Sequence, residues 1–292
     1  MDAAEQTLLT DTLRKTMGAA TGAELYAALG DLGWYELLTD SAGIAVPLVF
    51  RLLGETGTHA PLLNDVLAYA AGRTFGEPVT LPFTGDRWVL WTEGTGPTER
   101  GQRAEPVVLL DPELPLSIVG KPIESIATGA FPLAQARRAL GWWLTGSARA
   151  MLALARRHAL ERVQFGKPVA GFQAVRHRLA ETLVAIEGAE ATLVVGPSDA
   201  HHPAHPETAV PQHYDSLAAA LAKAAAGRAA LVTARHCQQV LGGIGFTAEH
   251  EFHRHYRRVL VLDGLLGSSR DLTREAGATL REFGYAPRLA QL

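Results

Sequence analysis

The 292-residue sequence has one cysteine, Cys237, no block of basic residues and no long uninterrupted apolar run. A lone cysteine excludes an intramolecular disulfide and a paired-cysteine metal site, and it reads as a small buried apolar side chain. The 27 Lys and Arg are interspersed with 30 Asp and Glu, for a net charge of -3. That leaves nothing to neutralise a phosphate backbone, so nucleic acid is not an expected partner. No apolar stretch reaches the ~18–20 residues of a membrane span. The opening MDAAEQTLLTDTLRK is acidic and amphipathic, unlike a secretory leader. The expectation is a cytoplasmic protein with no membrane contact. With 47% hydrophobic and 20% charged residues the composition is globular, and the length allows two compact domains or one large one with an attachment.

Three textures follow one another along the chain. Residues 1–73 read as an N-terminal helical region. Leu25, Leu29, Leu32, Leu37 and Leu38 recur mostly at helical spacing, the pattern continues from Ala45 to Gly54, and Gly54, Gly57 and Pro61 punctuate it. Residues 74–130 collect prolines and glycines around short β-prone runs at Arg87–Trp91, Val107–Leu110 and Leu116–Val119. This is the pattern of a small strand-and-turn module. From residue 131 to 292 the helical signal returns and is strongest. It predicts a helix from about Ala134 to Arg162 and a second from about Phe172, with a stripe of Val175, Leu179, Leu183, Ile186 and Leu193. A third, alanine-rich helix runs from about Asp215 to Leu241 and stops at Gly242-Gly243. A fourth begins near Glu249. Ser268 with Asp271 reads as the N-cap and capping acid of a last helix. Long helices with one apolar face each imply a C-terminal four-helix bundle and a mainly α fold.

Two tempting sites fail on context. Gly243-Ile244-Gly245-Phe246-Thr247-Ala248, with Asp263 20 residues after Gly243, fits the loose dinucleotide fingerprint. That fingerprint needs a preceding strand, and an alanine-rich helical run stands there instead. The loop His201-His202-Pro203-Ala204-His205, with His213 beyond, offers imidazoles on extended backbone. No helix fixes them in metal geometry, so the loop reads as solvated.

Residues 160–173, LERVQFGKPVAGFQ, and 238–250, QQVLGGIGFTAEH, together resemble the two signature stretches of the acyl-CoA dehydrogenase family. LGWYELL near the N-terminus is similar to a further family pattern. The resemblance implies the family's α,β-dehydrogenation of acyl-CoA thioesters with FAD, and a bundle that mediates oligomerisation while reaching the FAD of a neighbouring subunit. It places Arg162 on the FAD pyrophosphate, where a guanidinium suits a dianion. It places Gln164, Phe165, Gln173 and Gln239 along the same half of the cofactor, with Gly242 and Gly243 admitting close backbone approach. Taken singly, Arg162 could serve only the helix dipole and the glycines only a C-cap.

The resemblance also exposes what is missing. The family base is a glutamate at one of two positions. Counting from Gly242-Gly243 places the first at Leu266, in Leu265-Leu266-Gly267-Ser268; counting back from Arg162 places the second at Ala136, beside Arg137. Neither is acidic, so no catalytic residue is expected. Asp263, three residues before Leu266, is the nearest substitute and would share its face if the segment were helical. The family's Thr/Ser-rich flavin-binding strand is not recognisable between Phe75 and Ala130. The chain is thus similar to the cut-down, glutamate-lacking subunit of actinobacterial α2β2 acyl-CoA dehydrogenases, some of which act on steroid-derived thioesters. The partners so implied are a full-length dehydrogenase subunit, its acyl-CoA, and electron-transfer flavoprotein as acceptor. Two alternatives stay open: a homo-oligomeric dehydrogenase using Asp263, and a flavin-free scaffold on the same fold.

Overall fold

The computed structural model describes residues 3–91, 109–120, 129–194 and 212–287. Four helices form the N-terminal part: α1 (Ala3–Ala19), α2 (Gly22–Asp31), α3 (Trp34–Thr56) and α4 (Leu62–Ala70). Asp65, fully buried on α4, ties this part together. It accepts hydrogen bonds from the Tyr26 hydroxyl (2.9 Å) and Trp34 Nε1 (3.0 Å). A buried carboxylate needs such donors to offset its lost hydration.

The β module is a four-stranded antiparallel sheet in the order β1-β2-β4-β3. Its strands are β1 (Thr80–Phe83), β2 (Arg87–Trp91), β3 (Leu109–Asp111) and β4 (Leu114–Val119). The sequence predicts β2 to the residue and most of β4, but not β1, whose Pro82 is admissible because β1 is an edge strand. Val107 and Val108 lie outside the described residues.

The C-terminal part comprises α5 (Ala130–Glu161), a short hairpin of β5 (Val163–Gln164) and β6 (Lys167–Pro168), α6 (Gln173–Val194), α7 (Gln212–Leu241), α8 (Phe252–Gly264) and α9 (Ser269–Phe283). Helix α6 runs antiparallel to its neighbours. Leu193 near its end meets Gly141 in the first half of α5, and Thr182 in its first half bonds His236 in the last turns of α7 (3.0 Å). Helices α5 and α7 therefore finish at the end of the bundle where α6 begins. A buried pair, Arg138 with Asp215 at 2.6 Å, fixes their starting ends. Helices α3 and α5 cross backbone to backbone: a Cβ on Gly146 would lie 2.1 Å from the Arg51 carbonyl oxygen, and one on Gly54 would lie 2.3 Å from that of Trp143.

Several sequence expectations need correction. The buried stripe of α6 passes through Thr182, Ile186, Ala189 and Leu193, and Leu183 is 43% exposed. Thr182 is admitted to the core because its hydroxyl is doubly bonded, to Arg178 O and His236 Nδ1. Helices α5 and α7 each start a few residues early, and α8 starts at Phe252. By length and composition alone α3 and the α7 segment could cross a membrane, more than the broken apolar runs suggested; both pack into the core, and 67% of the α7 window is buried. Cys237 is buried, as expected. His201, His202 and His205 lie outside the described residues.

Candidate functional site: an exposed bundle end and a filled corner

The first signature stretch folds into the α5-to-α6 connection. Helix α5 stops at Glu161, Arg162 turns extended (φ -76°, ψ 117°), and its carbonyl accepts from Val169 N at 2.8 Å, closing the hairpin. Phe165 and Gly166 at the tip both have positive φ, +53° and +76°, the backbone of a two-residue hairpin turn that matches strand twist. The turn projects Phe165 outward with 92% of its surface exposed. Phe172 supports it from below, edge-on at 6.2 Å, and Lys167 Nζ lies 4.4 Å from the centre of the Phe172 ring. A bulky residue in left-handed backbone, with its ring in water, is costly in two ways and is the kind of outlier that marks an interaction site.

The second stretch forms the end of α7 and a tight turn, Gly242–Phe246. Gly242 has φ +64°, which a side chain would strain, and a Cβ on Gly242 or Gly243 would meet nothing within 4 Å. Ile244 is 42% and Phe246 69% exposed. The fingerprint reading fails here as expected: a helix precedes Gly243, and Asp263 lies on helix α8.

The fold brings the two stretches to one end of the bundle. His158, near the end of α5, is held below the ordinary imidazole range by burial first, then by His250 from the second stretch and Arg162 from the first. Arg162, Gln164, Phe165, Gln173 and Gln239 are all exposed at this end. Among the described residues the side chains of Arg162, Gln164 and Gln239 make no hydrogen bond, and Gln173 has only a long contact to His177 (3.5 Å). A guanidinium and amides free to donate, beside side-chain-free backbone, suit the anionic pyrophosphate of a dinucleotide. The residues present therefore fit the pyrophosphate half of an FAD.

The positions of the family acids lie together in a second place, the corner between α5 and the α8–α9 turn. Ala136 is fully buried and Leu266 is 1% exposed. Arg137, adjacent to Ala136, donates from Nε to Leu266 O at 3.1 Å and pairs with Glu275 at 3.5 Å. The turn is not helical: Leu265 is extended and Leu266 left-handed (φ +57°). Asp263 accordingly does not share the Leu266 face. It is 9% exposed, and its carboxylate accepts from Ser269 N (3.1 Å) and Ser269 Oγ (3.4 Å), bracing the first turn of α9. The edge of the β module is stitched to the same turn by Leu266 N to Pro82 O (2.8 Å) and Thr84 N to Gly264 O (2.9 Å). Behind it, Trp143 of α5 packs near Trp91 of β2 (6.4 Å) and Phe50 of α3 (6.1 Å), filling the space where module and helices meet. An open groove of about 460 Å³ lies beside this corner, against Leu217, Ala220, Glu275 and Ala276, and none of the predicted site residues lines it.

Three contributors escaped the sequence reading. Lys223 is fully buried on α7 and donates from Nζ to Asp263 O (2.6 Å) and to Gly267 O. Arg258 and Asp111 form a buried pair (3.2 Å) that anchors the module to α8. A lysine inside an alanine-rich helix and an arginine directly before the apolar run Val259–Leu262 are the available signals; their partners, up to 147 residues away, are not.

Residues 126–276 match the acyl-CoA dehydrogenase C-terminal domain. The acyl-CoA dehydrogenase FadE34 of Mycobacterium tuberculosis is 32% identical over 85% of this chain, which spans 33% of FadE34. The acyl-CoA dehydrogenase IpdE2 of the same organism is 31% identical over 86% of this chain and 79% of its own length. Among solved structures, the Tcur3481-Tcur3483 steroid acyl-CoA dehydrogenase superposes with a TM-score of 0.70 at 19% identity, over 96% of this chain and 99% of that one. The ChsE4-ChsE5 complex of M. tuberculosis gives 0.65 at 19% identity over 99% of each chain. The signature stretches, the domain match and the relatives agree: the chain belongs to the acyl-CoA dehydrogenase family, whose members are FAD-dependent oxidoreductases.

Proposed function

We propose that this chain is a non-catalytic subunit that completes the FAD site of a full-length acyl-CoA dehydrogenase in a heteromeric, α2β2-type assembly. One observation carries the reading: the residues assigned here to the cofactor are exposed and mostly without partners, while both acid positions are apolar and buried in one filled corner. Arg162 would hold the pyrophosphate, with Gln164, Gln173 and Gln239 hydrogen-bonding beside it and Gly242-Gly243 lying against it. When bound, FAD accepts the hydride of the family reaction. This chain supplies no group to abstract the α-proton, because a base must reach the substrate carbon and Asp263 is turned into the α8–α9 joint. The partner subunit would bring the glutamate, the acyl-CoA pocket and the flavin ring, and electron-transfer flavoprotein would reoxidise the complex. Steroid-derived thioesters are the proposed substrates, supported by likeness to a steroid dehydrogenase. A site elsewhere freed of this chain's own pocket has room for a bulky acyl group.

The test is purification of the chain alone and with its full-length genomic partner. The expected result is a colourless protein alone and a yellow complex that reduces its flavin with a steroid thioester. A chain that is yellow alone and reduces its own flavin would support the homo-oligomeric alternative instead. A complex that never binds flavin would support the scaffold.

A further inference from the structure

Lys223 stands apart from everything the proposed function uses. It is fully buried, yet it belongs to no ion pair among the described residues. The nearest acid, Asp263 of α8, has its carboxylate committed to Ser269, so Nζ holds main-chain oxygens instead, those of Asp263 and Gly267. The other charged groups facing it are spoken for. On α5, Arg137 is a second cation, bound to Leu266 O and Glu275. On α9, Asp271 takes Ser268, Arg274 and, from the β module, the Thr84 hydroxyl; Glu275 takes Arg137. A buried amine with carbonyl partners only, and a guanidinium for a neighbour, is better off neutral when enclosed and charged when in water.

The oxygens that Lys223 holds bracket the 264–266 segment, which is stitched to β1 through Leu266 N and Thr84 N. Opening this turn would therefore release both the edge of the β module and the lysine. We propose that the α8–α9 turn is a proton-linked joint, in which parting the turn from β1 hydrates Lys223 and takes up one proton there. The electrostatics support it: burial first, with the Arg137 charge opposing the pull of Asp263 and Asp271, brings the lysine down to about 7 from its ordinary 10.5. The sign follows from linkage. The open form binds the extra proton, so opening is favoured by acid and suppressed as pH rises from about 7 towards the ordinary lysine range. The joint is set by this chain's own side chains and does not depend on flavin or on a partner.

The test is hydrogen exchange on the full chain without cofactor, followed at the amides of Leu266 and Thr84 and referred to intrinsic rates. One proton per opening predicts that protection rises about tenfold per pH unit above about pH 7. Lys223→Met, which keeps the volume but cannot titrate, should lose that slope. A flat profile in the natural sequence, or a slope that survives in Lys223→Met, overturns the proposal. Should Lys223→Met fail to fold, direct NMR titration of the Lys223 ammonium decides: a midpoint near neutrality supports the joint, and one near the ordinary lysine value removes it.

Discussion

The bundle end carries both signature stretches and the α8–α9 corner carries both family acid positions, Ala136 and Leu266, and the two regions have opposite physical characters. At the bundle end, polar groups are exposed and mostly without partners, and Phe165 projects in strained backbone. At the corner Arg137, Lys223 and Asp263 all have partners within this chain, and the two acid positions are buried apolar residues. The difference teaches where each region's polar groups find partners: those of the corner within this chain, while those of the end stay open to solvent. Substitutions should therefore damage the folded chain at the corner and leave it intact at the end.

The largest effect is expected where α8 holds the β module. Arg258→Met leaves buried Asp111 with only the Glu113 amide and the longer contact to Arg257 (3.9 Å), a loss of about 2–4 kcal/mol that denaturant unfolding would read as a large fall in midpoint. An unchanged midpoint would mean that module and bundle are not held by this pair. Acid should act on the same face. His255 is pushed down to about 4 by burial, and then by Arg258 and Arg254. Its folded value lies below the unfolded one, so the unfolded chain binds more protons between about pH 6.5 and 4, and stability falls as pH drops through that window, by roughly 3 kcal/mol at most. A stability profile of His255→Phe that falls just as steeply would remove His255 as the cause.

Glycine gives a matched pair across the two regions. A Cβ on Gly227 would lie 2.1 Å from Asp263 Oδ1, whereas one on Gly243 meets nothing within 4 Å. Gly227→Ala should cost about 1–3 kcal/mol by overpacking. Gly243→Ala should leave the free chain's melting temperature where it was while weakening flavin retention by the complex. Equal melting temperatures for both variants would dissolve the contrast. Asp263→Asn is the mildest corner change, with a loss of about 1 kcal/mol for the weakened brace on Ser269 and no change in turnover per bound flavin. A collapse of turnover at normal flavin content would instead restore Asp263 as the base.

Local signals were legible in the sequence and remote ones were not. The stop of α7 at Gly242, the Ser268 cap with Asp271, and strand β2 follow from residue chemistry within a few positions. So did the gathering of two signature stretches on one bundle, since helix order alone sends both to the same end. What escaped depends on contacts between distant segments. Leu183 fits a helical stripe but yields its buried place to Thr182, because His236 offers the hydroxyl a partner. Helical spacing would put Asp263 on the Leu266 face, but the backbone leaves the helix at Leu265, where β1 draws the turn into a short ladder. Lys223 and Arg137 read as helix residues of no particular role until their carbonyl partners are in place.

The central claim is that Arg162 and its neighbours face a cofactor held by another subunit, and flavin content per complex tests it most directly. We expect Arg162→Ala to leave the chain's folding and its assembly with the full-length partner unchanged, and to lower the flavin retained through gel filtration several-fold. Full flavin retention by a complex containing Arg162→Ala would contradict the claim.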